Sequence, residues 1–218
     1  MASIAAFFDL DGTLIAENSA MLWAEHEREH GNIARWQLVR AGLWSVLYRL
    51  SVIDIESAYA EATRHYRGQR FDDLQQRTAV WFQAEVEWRL RPQARSALAD
   101  HRRAGHRLVL LTSSSCFEAT AAAGAWGFDE WIANRFPTDA AGELDGTFAQ
   151  PLCYGGGKVT LAEQWAARRQ VDLDRCFFYS DSYSDLPMLE RVGEPRVVAP
   201  DPRLRVAASL RGWPTLRW

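Results

Sequence analysis

The sequence predicts an α/β fold: a doubly wound, Rossmann-like parallel sheet with an all-helical cap inserted after the first strand. Short apolar runs that end in polar loops recur along the chain, and such continuous runs are typical of parallel strands buried on both faces. Helical patterns occupy the stretches between these runs, which indicates that strands and helices alternate. Between residues 19 and 90 we find no convincing strand, so this segment is the predicted cap.

Strands are predicted at residues 4–8, 107–111, 130–133, 176–179 and 195–198. Core helices are predicted at residues 92–104, 116–125, 158–170 and 184–191, and cap helices at 20–29, 33–50, 55–66 and 72–90. The chain therefore divides into a core domain, residues 1–17 and 91–218, and a cap domain, residues 18–90. The cap would lie over the strand ends, where open α/β sheets bind ligands. Its tryptophans are predicted to pack in a core: Trp23, Trp36, Trp44, Trp81 and Trp88.

The composition argues against several classes of protein. The 218 residues are 48% apolar with a formal net charge of −3, which allows a buried core and gives no basic excess for nucleic acid. Three cysteines without C-x-x-C spacing favour neither a disulfide framework nor a cysteine zinc site, and the N-terminus lacks a signal-peptide pattern. We therefore expect a cytoplasmic protein without stable membrane insertion. The apolar stretch 41–50 is shorter than the roughly 20 residues that span a bilayer, and its contact with a membrane surface stays open.

Two acidic residues, Asp9 and Asp11, end the first predicted strand in the sequence FFDLDGTL. Side chains alternate in an extended segment, so both carboxylates can project to one side, and Gly12 then permits the chain to turn away. Two carboxylates at the end of a buried strand are costly unless a cation or hydrogen-bond donors compensate them. Oxygen-rich sites select hard cations such as Mg²⁺, which bridge to substrate phosphates. Capping of a helix or loop is the structural alternative for this pair.

A second acidic pair follows the predicted strand at 176–179. Asp181 stands at the strand end and Asp185 just inside the next helix, so both can face one point in the loop. Asp185 could instead serve only to favour a helix N-terminus. Together the two pairs predict a cluster of four carboxylates that binds a divalent cation.

Groups suited to an anion lie on two other segments. The strand at 107–111 delivers Thr112, Ser113 and Ser114 at its end, before a helix whose N-terminal N–H groups can receive an anion. Lys158 opens another helix after three glycines; its charge and position suit a phosphate, and a solvated lysine fits the pattern equally well. The glycines are not a P-loop, because the first glycine and the hydroxyl residue of that motif are both missing.

Two further motifs are interpreted as structural. ELDGTF at residues 143–148 repeats part of the first strand end, but Asp145-Gly146 is a hairpin signal and no strand precedes it. HEREH at residues 26–30 matches the H-E-x-x-H zinc motif and its inverse. Its intervening residues are all charged and Gly31 follows at once, so we expect a solvated helix end there.

The ordered motifs resemble the haloacid dehalogenase superfamily of phosphohydrolases, and within it the phosphoserine-phosphatase-like subfamily with a helical cap. DLDGT is similar to the first family motif, LLTSS to the second, Lys158 to the third and SDSYSD to the fourth. The match follows the family's order and spans nearly the whole chain. The resemblance implies a Mg²⁺-dependent phosphatase that hydrolyses a small phosphorylated metabolite through an aspartyl-phosphate.

The resemblance also implies roles for these residues. Asp9 would be the nucleophile, and Asp11 would protonate the leaving alcohol and then activate water. The metal would be held by Asp9, the Asp11 carbonyl and Asp181, with Asp185 binding through water or as a support. Phosphoryl oxygens would be bound by Gly12, Thr112, Ser113 and Lys158.

Two positions depart from the family pattern. The fourth motif has SDS where many relatives have Gly-Asp-Gly, which leaves the acidic position intact. Phosphoserine phosphatases place a glutamate nine residues after the nucleophile, where this chain has Asn18, with Glu17 adjacent. The substrate therefore stays open among phosphoserine, histidinol phosphate, phosphatidylglycerophosphate and other small phosphomonoesters. A phosphotransferase with the same nucleophile and a non-catalytic phosphate-binding module are the alternative functions.

Overall fold

A sheet of six parallel strands forms the centre of the molecule in the computed structural model, which describes residues 3–32 and 55–218. Across the sheet the order is β3-β2-β1-β4-β5-β6, and each neighbouring pair is parallel. The predicted doubly wound α/β fold is confirmed. In chain order the strands are β1 (Ala5–Phe8), β2 (Arg107–Ser115), β3 (Glu130–Asn134), β4 (Phe177–Ser180), β5 (Glu194–Val198) and β6 (Thr215–Leu216).

Helices fill the connections between the strands. The predicted helix at 33–50, which carries Trp36 and Trp44, lies outside the described residues. The described α-helices are α1 (Ser19–Glu29), α2 (Ile55–Arg64), α3 (Phe71–Trp81), α4 (Pro92–Arg103), α5 (Cys116–Trp126), α6 (Gly156–Arg169), α7 (Leu186–Arg191) and α8 (Pro202–Arg211). Tighter or wider turns are formed by Leu10–Leu14, Phe82–Val86, Glu87–Arg89, Leu173–Arg175 and Tyr183–Asp185.

The strand β1 is fully buried because helices cover both faces of the sheet. Ala5 and Phe7 lie in an apolar cluster with side chains of α6, α7 and α8. Ala6 and Phe8 face the other way, into a cluster with side chains of α4 and α5. The continuous apolar run that predicted this strand is thus the signature of burial on both faces. The same burial fixes the position of the carboxylates that follow the strand.

The strand β2 is longer than predicted, since residues 112–115 continue it. The pairing with β3 shifts between Leu111 and Ser115, so the extension is irregular. Its hydroxyl groups bond locally, and Ser114 N donates to Thr112 Oγ1 at 3.0 Å. Polar residues of this kind are typical of loops in sequence, which is why the extension was not predicted. The strand β6 was missed because two residues are too short for a periodic pattern.

The prediction of a hairpin at Asp145-Gly146 is wrong. Leu144 forms an antiparallel bridge with Thr138, so the chain reverses before Asp145. Asp145 Oδ1 accepts hydrogen bonds from Thr147 N at 2.7 Å and from Thr147 Oγ1 at 2.7 Å. Asp145 therefore closes a local turn. This agrees with its interpretation as a structural residue.

The helices after β1 pack onto the sheet domain at two places. Leu74 of α3 lies in a buried cluster with Phe117 of α5. Phe82 and Val86 lie in the same cluster as Phe8 of β1, so the chain just before residue 90 shares the core of the sheet. The buried packing therefore continues across the predicted boundary at residue 90, where one helical segment ends and the chain leads to the next. The division into core and cap domains stays a prediction.

The cap tryptophans divide into buried and exposed residues. Trp81 is 1% exposed and packs edge-on against Trp23 at a ring distance of 5.1 Å, as predicted. Trp88 is 67% exposed, so the packing prediction is wrong for this residue. The predicted helix at 72–90 is an α-helix as far as Trp81 and continues as wider and tighter helical turns to Arg89. Trp88 lies in the last of these turns, and the Arg89 guanidinium is 4.4 Å from its ring centre.

The H-E-x-x-H segment closes α1 and binds neighbouring elements. His26 Nδ1 lies 2.6 Å from Glu85 Oε1. Glu27 is 2% exposed and accepts hydrogen bonds from Arg77 Nη2 at 3.3 Å and from Asn32 Nδ2 at 2.9 Å. The expectation of a solvated helix end is therefore wrong at Glu27, which is a buried structural carboxylate.

Two other findings concern the thiols and the membrane. Cys116, Cys153 and Cys176 are buried and free. Within residues 3–32 and 55–218, no helix is long and apolar enough to cross a membrane. The stretch 41–50, whose contact with a membrane surface was left open, lies outside these ranges.

Candidate active site

The candidate site lies where the chain leaves β1. The strands β2 and β3 extend the sheet on one side of β1, and β4 to β6 extend it on the other. Open α/β sheets bind ligands at such a switch point, outside the carboxyl ends of the strands. Asp9 follows β1 directly, and its backbone N–H donates to Tyr179 O of β4 at 3.0 Å. The Asp9 carboxylate is thereby fixed at the switch point.

Lys158 lies between two carboxylates in the buried interior. It is the third residue of α6 and is 1% exposed. Its Nζ donates to Asp9 Oδ1 at 2.8 Å and to Asp185 Oδ2 at 2.8 Å. Burial acts to lower the pKa of Lys158, but the charges of Asp185 and Asp9 outweigh it and raise the pKa above its ordinary value. The side chain is therefore a buried ammonium that ties α6 to the strand ends, and the solvated alternative is wrong.

Asp11 is held by neutral donors. Its Oδ1 accepts a hydrogen bond from Ser19 N at 2.7 Å, and its Oδ2 accepts one from Ser114 Oγ at 3.2 Å. Burial raises the pKa of Asp11, and these hydrogen bonds offset only part of the effect. Sequence reasoning missed Ser19, whose only signal was its place at the start of a helix. A carboxyl group in these surroundings keeps its proton to higher pH than a solvated one.

Asp181 packs directly against the loop that follows β1. Thr13 Oγ1 donates to Asp181 Oδ1 at 3.1 Å. Gly12 has φ of +73°, and a Cβ on it would lie 2.2 Å from Asp181 Oδ2, so no larger residue fits. The Gly12 N–H donates to Glu17 O at 3.3 Å, which occupies it within the loop. Gly12 therefore serves the site by close approach of its backbone to Asp181.

Burial dominates the protonation of the carboxylates. It raises the pKa of Asp9 well above the ordinary value; Lys158 lowers that pKa, and the charges of Asp185 and Asp181 raise it again. Burial also raises the pKa of Asp181 to about 7. One ammonium group therefore does not compensate three neighbouring carboxylates. A further cation would favour their ionised forms.

Thr112 and Ser113 immediately precede Ser114, the residue of β2 that donates to Asp11. Thr112 is 1% exposed, and its Oγ1 accepts the hydrogen bond from Ser114 N. The Ser113 carbonyl accepts hydrogen bonds from Asn134 Nδ2 at 2.7 Å and from the Tyr59 hydroxyl of α2. Asn134 and Tyr59 were missed because neither belongs to a motif. They join the end of β2 to β3 and to the inserted helices.

At the N-terminus of α5, where the sequence predicted that an anion can bind, side chains of the chain itself engage two backbone N–H groups. Ser115 Oγ accepts from Glu118 N at 3.2 Å, and Glu118 Oε2 accepts from Ser115 N at 3.1 Å, which is a complete capping box. The N-terminus of α6 differs, because its N-cap residue Gly155 makes no side-chain capping bond. The start of α6, which carries Lys158, is the better placed of the two for an anion.

The donor set suits Mg²⁺ in its chemistry. Asp9, Asp181 and Asp185 supply hard oxygen ligands, and Asp185 Oδ1 is buried without a hydrogen-bond partner. In the described part of the chain, no three carboxylate, histidine or cysteine side chains converge into a ready-made metal cluster. Asp11 accepts from its serine donors, and the Lys158 ammonium occupies one oxygen of Asp9 and one of Asp185. Mg²⁺ needs only one or two protein carboxylates, because it keeps waters and binds substrate phosphate.

Arg91 positions the loop that carries the acidic residues, and sequence reasoning missed it. Its Nη2 donates to Gly12 O at 3.0 Å, and its backbone N–H donates to Leu14 O at 2.9 Å. Its Nη1 donates to Trp218 O at 2.6 Å, so the loop is tied to the segment that follows the edge strand β6. The sequence gives no signal for Arg91, since an arginine before a helix is common on protein surfaces.

The fold and the site together define a class of protein. Paired aspartates follow β1, a second aspartate pair follows β4, and a buried lysine bonds to one member of each pair at the switch point of a doubly wound sheet, which defines an α/β protein with an aspartate-lysine site. The chain belongs to the haloacid dehalogenase-like hydrolases, whose family model matches residues 6–190. The resemblance seen in the motifs is confirmed, and the protein is a hydrolase of this family.

Relatives and solved structures agree with this membership. A probable phosphatase of Mycobacterium tuberculosis (strain ATCC 25618 / H37Rv) is 33% identical over 99% of this chain and 75% of its own length. A histidinol-phosphatase of Neisseria meningitidis serogroup C (strain 8013) is 28% identical over 98% of each chain. A protein of unknown function from Bordetella pertussis Tohama I superposes with a TM-score of 0.90 at 26% identity, covering 99% of each chain.

The close approach of Gly12 to Asp181 predicts the effect of adding one methyl group. Gly12→Ala would force a Cβ into the Asp181 carboxylate at a positive φ, so we expect loss of at least about 2 kcal/mol of unfolding free energy. Gly124→Ala is the matched control, because a Cβ there meets nothing within 4 Å and alanine favours a helix. Urea unfolding of both variants measures the difference. Equal stability of the two would contradict this account of Gly12.

The raised pKa of Asp181 predicts a pH-dependent gain in stability when its charge is removed. Between the ordinary value of 3.8 and about 7, the folded state binds more protons than the unfolded state, so the unfolding free energy falls as pH rises through this window. The Asp181→Asn variant does not lose unfolding free energy in this way, because its amide does not ionise. Its side-chain oxygen can still accept the hydrogen bond from Thr13. We expect its stabilisation in EDTA to be about 2 kcal/mol larger at pH 8 than at pH 5. Urea unfolding at the two pH values decides; a gain that does not depend on pH would refute the account.

Proposed function

We propose that the protein is a Mg²⁺-dependent phosphatase that hydrolyses a small phosphomonoester through an aspartyl-phosphate. The observation that carries the proposal is the contact of the Lys158 ammonium with Asp9 and Asp185 at the end of β1. Through this contact, the Asp9 carboxylate and a buried positive charge lie within one hydrogen bond of each other. Such a pair suits attack on phosphorus, where the transferring group carries negative charge.

Asp9 is the proposed nucleophile. Its Oδ1 is held by Lys158, and its Oδ2 receives no hydrogen bond from the described residues, which leaves that oxygen for attack. Oδ2 forms a bond to phosphorus while the bond from phosphorus to the ester oxygen breaks. Water then attacks the same phosphorus atom, releases inorganic phosphate and restores the Asp9 carboxylate.

Asp11 is the proposed acid and base. With its pKa raised by burial, it gives a proton to the departing ester oxygen, and it later takes a proton from the attacking water. Ser19 and Ser114 hold its two oxygens in place, so the carboxyl group is oriented before the substrate arrives. The proton returns to Asp11 at the end of each cycle.

The remaining predicted residues hold the phosphoryl group and the metal. We propose that Lys158, Thr112 and Ser113 face the phosphoryl oxygens, and that Gly12 shapes the loop beside them. Asp9, Asp181 and the Asp11 carbonyl would hold Mg²⁺, with Asp185 supporting it through its unpaired buried oxygen. When bound, Mg²⁺ would neutralise charge on the phosphate and on the neighbouring carboxylates.

The substrate stays open among phosphoserine, histidinol phosphate, phosphatidylglycerophosphate and other small phosphomonoesters. Asn18 Oδ1 accepts a hydrogen bond from Met21 N at 3.0 Å and caps α1. Glu17 Oε1 lies 2.5 Å from Arg89 Nη1 in an ion pair. Both side chains are thus engaged in the structure of the inserted segment, and we propose neither as the residue that reads the substrate.

We further propose a cytoplasmic location and a small phosphorylated metabolite as the partner. Three free, buried cysteines support a reducing compartment. The formal net charge of −3 supports the absence of nucleic acid as a partner.

Replacement of the nucleophile tests the proposed function. With a panel of phosphomonoesters and Mg²⁺, we expect Asp9→Asn to lower kcat for phosphate release by at least about 1,000-fold, because an amide is a poor nucleophile. EDTA is expected to abolish turnover of the unmodified protein. Asp145→Asn is the matched control: Asp145 lies in the echoed LDGT sequence but closes only a local turn, so activity should stay within about twofold. Full activity of Asp9→Asn, or turnover without a metal, would overturn the mechanism.

A further inference from the structure

Glu118 is a buried carboxylate that the proposed mechanism does not use. It is the third residue of α5 and is 6% exposed. Its Oε2 accepts hydrogen bonds from Ser115 N at 3.1 Å and from Ser115 Oγ at 2.8 Å. Its Oε1 is buried without a hydrogen-bond partner. The helix cap therefore satisfies half of the carboxylate and leaves the other half unpaired, which is costly unless a ligand completes it.

The surroundings of Glu118 place it beside the proposed proton donor. Burial raises the pKa of Glu118, and the next largest influence is the charge of Asp11, which raises it further. In turn the charge of Glu118 helps to raise the pKa of the Tyr59 and Tyr66 hydroxyl groups in the inserted segment. Ser114 Oγ donates to Asp11 at 3.2 Å, and the next residue, Ser115, donates to Glu118 at 2.8 Å, so consecutive residues bind the two carboxyl groups. Glu118 therefore lies near the proposed proton donor, at the start of α5 and at its junction with the inserted helix α3, which packs against α5.

No cation of the described chain neutralises Glu118. In the described residues, the buried ammonium of Lys158 is bound to Asp9 and Asp185, and no ion pair includes Glu118. The nearby acidic group Asp11 is of the same sign, so it adds to the cost. A positive group brought by a ligand would compensate the charge and also give Oε1 its missing donor.

We propose that Glu118 determines specificity by receiving a cationic amino group carried on the alcohol part of the substrate. The inference rests on the proposed function, because it takes the ester oxygen to lie at Asp11. The group attached to that oxygen then extends from Asp11 toward the junction where Glu118 lies. The substrate class is therefore an aminoalkyl phosphomonoester, whose ammonium donates to Glu118 Oε1.

Pairs of esters that differ only in the amine test this inference. The first pair is O-phosphoethanolamine and 2-hydroxyethyl phosphate, and the second is histidinol phosphate and its analogue without the amino group. We expect kcat/KM to favour the amine by at least about tenfold in one pair or both, the range of a charge-assisted hydrogen bond. Equal rates, or a preference for the neutral ester, in both pairs would overturn the inference alone. Phosphate release from no ester would overturn the proposed function as well.

Substitution of Glu118 assigns the preference to this residue. Glu118→Gln keeps the capping box, since glutamine can replace glutamate at this position of a helix, and it removes the charge. The amine preference should fall to about twofold or less in this variant, and Glu118→Asp, which keeps the charge, should retain more of it. Glu163→Gln on the exposed face of α6 is the control and should keep the full preference. An undiminished preference in Glu118→Gln, or equal ratios in Glu118→Gln and Glu118→Asp, would refute the assignment.

Discussion

The buried ammonium of Lys158 is the interaction on which the rest of the site depends. It joins three segments that are far apart in sequence: the end of β1, the start of α6 and the loop after β4. An unpaired ammonium in this position would be prohibitively costly, so the fold and the ion pairs require each other. The approach of α6 is equally constrained, because a Cβ on Gly157 would lie 1.9 Å from Leu152 O. The backbone packing of Gly157 and the ion pairs of Lys158 therefore fix the position of α6 against the strand ends.

The site contains more negative charge than its lysine compensates. Burial raises the pKa of Asp9, Asp11 and Asp181, which means that the fold holds these groups at a cost when they are ionised. A structure selected only for stability would replace such residues by neutral ones. The proposed function explains why this cost is retained, since it requires the same carboxylates to bind a metal ion and one of them to form a covalent bond to phosphorus. Under that proposal, stability and activity oppose each other at this end of the sheet.

Predictions from the sequence succeeded where a local pattern of residue types favoured one structural environment. The apolar run before Asp9 predicted a strand buried on both faces, and carboxylates at the end of such a strand are costly unless a cation or hydrogen-bond donors compensate them. Such predictions failed where the outcome depended on neighbours that are distant in sequence. The serines after Leu111 continue β2 because β3 lies beside them, and Arg91 matters only because the loop of Gly12 passes it. The unpaired oxygen of Glu118 depends on tertiary burial, which no local sequence pattern shows.

The two aspartates of the first motif, Asp9 and Asp11, have different surroundings, and this difference supports different proposed roles. Burial raises the pKa of both, so burial alone does not distinguish them. Their partners do: Asp9 accepts from an ammonium, which favours the ionised form that a nucleophile needs, whereas Asp11 accepts only from a backbone N–H and a hydroxyl. Neutral donors stabilise an anion less than a positive charge does, so the Lys158 ammonium favours the ionised form of Asp9 more directly than the serine donors favour that of Asp11. The proposed division between nucleophile and acid rests on this difference in partners, which the placement of one lysine creates.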